Sequence, residues 1–318
     1  MSICRSYRVG PSEIGPGNVR DVDDRGSRNG SGDWHSRAAL VAKAMRPSAL
    51  CRHAERLGFE SVWGGEHVIM PTTIESRYPY TRTGKIPASP ETLIPDPLIW
   101  LAFVAAAAPT LRLGTCILIL PQRNPLVLAK DLATLDRLSG RWVELGIGIG
   151  WMREEFDALG VSWDQRGARN DEYVAAMRTL WAGPHAEFHG EFVDFPQVTC
   201  SPRPVRERIP VVVGGDTPAA LDRAARLADG YFPGEGDSKR LEHLIAELHR
   251  AAERHDRDPR SIAVSAMLAP SNPDPLALSQ EMSAMGVSRA MVPAFTFGGP
   301  EGLDRLTGFA RVVMPVAG

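Results

Sequence analysis

The stretch LRLGTCILILPQRNPLVLAKDLATLDRLSGRWVELGIGI, from Leu111 to Ile149, decides the fold. Leu111 to Leu120 is apolar without alternation, as in a strand buried on both faces. Pro125 to Leu138 carries apolar residues at helical spacing and opens with a proline suited to the first helical position. Trp142 to Ile149 is again apolar on both faces. A strand, a helix and a second strand of this kind form one step of a parallel sheet covered by helices.

The same step recurs outward in both directions. Upstream, Pro47 to Leu57 reads as a helix closed by Gly58, Phe59 to Gly64 as a strand, and Asp96 to Ala108 as a helix. Downstream, helices are expected at Arg166 to Trp181, Thr217 to Ala228, Ser238 to His255, Asp274 to Met285 and Pro300 to Val312. Strands are expected at Ile209 to Val213, Tyr231 to Pro233, Ile262 to Leu268 and Ser288 to Pro293. Seven doubly apolar strands, each followed by a helix, imply an α/β protein, a (β/α)8 TIM barrel, over an open doubly wound sheet.

The first strand is not recognisable. Ala38 to Met45 is apolar, but its Ala, Lys and Met content favours a helix. Without strand one the barrel would have an exposed seam and lack part of a pocket wall, leaving a catalytically silent barrel as one outcome. Residues 1–46 are therefore expected to be an atypical, largely disordered segment, with the barrel domain over 47–318. Two stretches exceed what a barrel needs: Val68 to Pro95, and Pro184 to Arg208, where Glu187 to Phe195 alternates like a hairpin around Gly190.

The 318 residues, 43% of them hydrophobic and 23% charged, suit a soluble globular chain with a large core. A formal net charge of −2 supplies no field for nucleic acid or an anionic membrane. Cys4, Cys51, Cys116 and Cys200 form no C-x-x-C pair, so neither a metal site nor a disulfide framework is expected. The longest apolar run, Leu98 to Ala108, is 11 residues, against roughly 20 for a membrane helix. With no secretory pattern at the start, a cytoplasmic protein is expected.

Chemistry concentrates at strand ends. In Trp63-Gly-Gly-Glu-His67, Glu66 and His67 fall at the C-terminal rim where barrel enzymes keep reacting groups, although a hydrogen-bonded structural histidine would give the same pattern. Val143 to Trp151 contains G-x-G-x-G, but Trp151 stands where a dinucleotide fingerprint needs glycine. Gly146, Gly148 and Gly150 would let a flat ring or backbone approach closely, or fit a crowded barrel interior. Gly214 and Gly215 end a strand just before Thr217 and Pro218 open a helix, an arrangement that binds phosphate through backbone N–H groups or forms only a tight turn. Arg123 puts a cation at the same rim, or is a solvated charge.

Together these segments, with Leu57 to His67, Ser76-Arg-Tyr-Pro-Tyr80, Leu128 to Gly140, Gly146 to Phe156 and Phe188 to Phe192, resemble the luciferase-like monooxygenase superfamily, and within it the coenzyme F420-dependent oxidoreductase branch. The resemblance implies hydride transfer between reduced deazaflavin and an organic substrate, with Glu66 and His67 as the family's acidic–His pair and His67 a proton donor. An FMN-dependent monooxygenase is the alternative it leaves. It further implies that Gly114, Thr115, Cys116 and Ile117 support the cofactor ring, that Gly146, Gly148 and Gly150 match the strand-four glycines, and that Gly214, Gly215 and Thr217 hold the phosphate. Sugar-phosphate dehydrogenases of the superfamily carry glutamate at the position of Trp151, so that substrate is not supported. Arg77, Arg82, Lys85, Arg123 and Arg153 are the cations available to a deazaflavin's acidic tail, and Tyr78, Tyr80, Trp151 and Phe188 suggest an aromatic pocket. The partner expected is a small organic molecule; a homodimer is allowed.

Overall fold

A computed structural model describes residues 38–42, 47–140, 142–234, 237–299 and 301–314. Of the segment 1–46 expected to be largely disordered, residues 1–37 and 43–46 lie outside them, and residues 38–42 are a strand of the barrel rather than part of a separate segment before it. In chain order the elements begin with β1 (Ala38–Ala42), α1 (Pro47–Arg56), β2 (Ser61–Gly64), α2 (Pro97–Ala107), β3 (Arg112–Thr115) and β4 (Leu118–Ile119). Next come α3 (Pro125–Ser139), β5 (Val143–Gly148), α4 (Arg153–Ala158), α5 (Arg166–Ala182), β6 (Ala186–His189) and β7 (Asp194–Val198). The chain continues through β8 (Val211–Gly214), α6 (Pro218–Leu227), β9 (Gly230–Phe232), α7 (Ser238–Arg254), β10 (Ala263–Met267), α8 (Pro275–Ala284), β11 (Val287–Pro293) and α9 (Gly302–Val313).

The strands β3, β2, β1, β11, β10, β9, β8 and β5 are neighbours in that order, and β3 pairs back to β5 through Leu113 with Val143. All pairings in this ring are parallel. Eight strand positions thus close a barrel, β4 continuing the third position after an interruption at Cys116 and Ile117. The peptide between those two residues is cis.

β1 corrects the helical expectation for Ala38 to Met45. Leu40 pairs with Val62 on one side and Val292 on the other, so both edges of the segment are hydrogen-bonded. Alanine's helix preference is worth only a few tenths of a kcal/mol per residue over average residues, and two ladders override it. The seam expected from a missing first strand is closed.

The local signals behave as their chemistry requires. Asp96 and Asn124 accept backbone N–H groups at the starts of α2 and α3, each followed by proline, and Gly140 ends α3 at φ 58°. The hairpin expected around Gly190 forms as β6 and β7. A large core fills the space between sheet and helices, while Trp63, Val212 and Met291, from three different barrel strands, pack separately with Cys116, Phe232 and Met267. That second cluster lies inside the ring. Parallel strands put all their C-terminal ends at one mouth, so Glu66, Cys116, Gly150 and Gly215 emerge on the same face.

Candidate active site

The interruption of strand three shapes the mouth. Thr115, fully buried, donates its hydroxyl to the Gly146 carbonyl at 2.7 Å. The Ile117 side chain lies against Gly148 and Gly214, where added Cβ atoms would stand 2.5 and 3.0 Å from its methyl carbons. Gly114 carries the Trp63 ring, and Gly146 faces the Thr115 carbonyl, so neither position has space for a side chain. Gly146 and Gly148, expected to admit a flat ring or backbone, and Gly214, expected at a phosphate, admit Thr115 and Ile117 of the third strand position, while Gly114 admits Trp63 of β2. Above them is a small hollow lined by Trp63, Cys116, Ile117, Phe232, Ser265 and Met291.

Glu66 is buried, and both its oxygens are engaged. Oε2 accepts the Ile119 N–H at 2.6 Å; Oε1 accepts Arg123 Nε at 2.9 Å and also Nη2. Arg123 reaches on to Asp96 at 2.6 Å, the residue that caps α2. Burial pushes the Glu66 carboxyl up against the opposing pull of Arg123 and the Ile119 N–H. Asp96 falls below its usual range because Arg123 and two helix-capping N–H groups outweigh its own partial burial. Glu66, Arg123 and Asp96 therefore lock the end of β2 to the turn after β4 and the start of α2, and the Arg123 guanidinium is shared between two carboxylates.

His67 points another way. Its Nδ1 lies 3.0 Å from Oε2 of Glu155, whose side chain is wholly buried, and its ring meets Trp151 edge-on at 6.0 Å. Glu155 carries no signal of its own in the sequence. It sits on α4, too short at six residues to carry a helical period, just after the glycines of strand four. Its Oε1 accepts the N–H groups of Val68 at 2.7 Å and Ile69 at 3.4 Å. The neighbouring Glu154 accepts those of Glu75 and Ser76 at 2.6 and 2.9 Å, and Ser76 Oγ accepts the Arg153 N–H. Two adjacent glutamates thus fasten the long segment after β2 across the mouth.

That segment carries Tyr78, which packs edge-on to Trp151 at 5.1 Å and to Tyr80 at 5.4 Å. Tyr80 reaches the opposite rim, against Gly234 and beside Gly215. His67, Trp151, Tyr78 and Tyr80 form one aromatic wall; Phe188 stacks on Phe195 in the hairpin instead. Arg77, Arg82, Lys85 and Arg153 are exposed.

At the Gly214 and Gly215 turn, Gly215 takes φ +119° and donates its N–H to the Phe232 carbonyl. Its own carbonyl accepts the Tyr231 hydroxyl at 3.0 Å, and Asp216 accepts the Gly234 N–H at 2.8 Å. Thr217 caps α6 by accepting the Ala220 N–H, and Pro218 has no N–H, so Ala219 is the first-turn residue left with a backbone donor to offer. A glycine beside a helix start leaves room for a phosphate group to approach the backbone. The residues present fit a cofactor with a planar ring and a phosphate arm, Tyr80 being the group now against that surface. No helix among the described residues is long and apolar enough to cross a membrane.

The family model described as luciferase-like monooxygenase matches residues 28–288. An uncharacterized protein of Mycobacterium tuberculosis strain H37Rv is 37% identical over 204 residues, covering 64% of this chain and 70% of the relative. The FMNH2-dependent dimethylsulfone monooxygenase of Pseudomonas putida is 35% identical over 153 residues, 46% of this chain and 42% of the relative. Among solved structures, the coenzyme F420-dependent tetrahydromethanopterin reductase of Methanopyrus kandleri superposes with a TM-score of 0.70 at 17% identity, over 88% of this chain and 98% of that one. At that identity the likeness is one of fold.

Proposed function

We propose, for a chain that belongs to the luciferase-like monooxygenase family, that it is a coenzyme F420-dependent oxidoreductase acting on a small organic molecule at the barrel mouth. The observation that carries this reading is a set of three exposed cations, against two exposed carboxylates at Glu75 and Glu91, on the segment fastened over the mouth. Arg77, Arg82 and Lys85 are exposed on it, and Arg153 stands beside it through the bond from its backbone N–H to Ser76. Such a rim suits a cofactor with an acidic tail beyond its phosphate, and flavin mononucleotide has no such tail.

The cofactor ring would rest against Cys116 and Ile117 above the hollow, with its phosphate at Gly215 and Thr217. Bound there, the reduced deazaflavin supplies a hydride. His67 handles the accompanying proton at Nε2, the ring nitrogen without a hydrogen-bond partner among the described residues. The aromatic wall of Trp151 and Tyr78 excludes water and favours an apolar substrate. Glu66 acts as a positioning residue, because its oxygens are held by Ile119 and Arg123. A flavin monooxygenase on the same barrel is the second reading, favoured by the 35% identity to the dimethylsulfone enzyme over 153 residues.

Absorption titration of the purified protein with F420 and with FMN separates the two. Tighter F420 binding that weakens as salt rises supports the proposal. Equal or tighter FMN binding without salt dependence transfers it to the monooxygenase.

A further inference from the structure

We infer that Glu155 is a positioning residue that decides which nitrogen of His67 carries the proton: Nδ1–H is held toward Glu155, and Nε2 is left as the nitrogen that exchanges a proton with substrate. The inference rests on the role given to His67 above and adds to it a specified tautomer.

The wiring of one carboxylate carries the argument. Oε1 of Glu155 accepts from the Val68 and Ile69 N–H groups, which can only donate. Oε2 is thereby turned to His67 Nδ1 at 3.0 Å, in a side chain with no solvent exposure. An ionised carboxylate only accepts, so Nδ1 must donate to it. A neutral imidazole with its proton on Nδ1 has its lone pair on Nε2, and a protonated one offers Nε2–H as an acid. The backbone bonds matter because they fix the carboxylate from the side opposite His67. Rotating the carboxylate away would cost it both backbone donors at once.

The same wiring predicts what Glu155→Gln does. The amide oxygen takes the place of Oε1, because an NH2 there would face the two N–H donors of Val68 and Ile69. The amide NH2 then faces Nδ1 and can only donate. His67 must accept at Nδ1 and move its proton to Nε2. A near-isosteric change on the opposite side of the ring from the nitrogen that meets substrate should therefore reverse the histidine's polarity.

The test is long-range 1H–15N correlation on the full chain with 15N-labelled histidine and no cofactor, above the usual histidine titration range. The His67 signals are assigned by their loss in His67→Asn. The expected result is a protonated Nδ1 and an unprotonated Nε2 in the wild type, with the pattern exchanged in Glu155→Gln. A proton on Nε2 in the wild type, or the same tautomer in both proteins, overturns the inference. The wild-type spectrum decides even if the variant fails to fold. Where turnover with F420 is found, Glu155→Gln should lower kcat by about 10²- to 10⁴-fold with cofactor affinity unchanged. Absence of turnover with the expected tautomers would sink the proposed function and leave this inference standing.

Discussion

The Tyr80 ring rests directly against the α-carbon of Gly234, so that a Cβ built on Gly234 would fall within the ring. Gly234 has no positive φ, and the neighbouring ring is what denies it a side chain. Gly234→Ala should therefore destabilise the protein by about 1–3 kcal/mol through overpacking. Adding Tyr80→Ala should recover much of that loss, with a coupling of about 0.5–3 kcal/mol in a double-mutant cycle by urea unfolding. Additive losses would mean that Tyr80 does not occupy this place in solution.

Glu144 on β5 and Arg289 on β11 form a two-pronged ion pair inside the barrel, at 2.7 and 3.0 Å, with Arg289 also over the Trp63 ring at 5.0 Å. Both side chains are about nine-tenths buried, with 11% and 12% exposure. Glu144→Ala leaves the buried Arg289 guanidinium with Glu60, at 3.5 Å, as its remaining carboxylate and should cost about 3–5 kcal/mol in chemical denaturation.

Acid should loosen the segment across the mouth. Partial burial alone would raise the Glu154 carboxyl, but its hydrogen bonds, including those from Ser76 and Glu75, hold it down to about 2, against an ordinary value of 4.5. A depressed value means that the attachment is fully present above about 4.5 and is lost as pH falls toward 2. The Glu75 and Ser76 amide signals should shift over that window, and in Glu154→Gln their acid titration should vanish.

Gly215→Ala should perturb the fold as well as the proposed phosphate site. At φ +119° an L residue is strained at a cost of order 1–3 kcal/mol. An added Cβ would also press on Ala220 at 3.2 Å. Thermal unfolding should register the loss without any cofactor, and an unchanged melting temperature would contradict the turn geometry.

The seven strands from Phe59 onward and the helices between them were legible because their signals are local. Pro125 at a first helical position and doubly apolar runs such as Val211 to Gly214 need no distant residue to be read. Strand β1 was not legible. Ala-Ala-Leu-Val-Ala has no strand preference of its own, and what makes it extended is pairing with Val62 and Val292 on its two sides. The six-residue α4 was missed for want of a period.

For the site, chain order was enough to put His67, Glu66 and the Gly214–Gly215 turn at strand ends, and so at one mouth. Tertiary structure alone decided their partners. Glu66 turns to Arg123 and Ile119, more than fifty residues on, and His67 to Glu155, 88 residues away. Backbone preference and burial are properties of neighbouring residues, and a sequence states them directly. A hydrogen bond between side chains depends on which surfaces the closed barrel brings within 3 Å, and that distance exists only once the chain has folded.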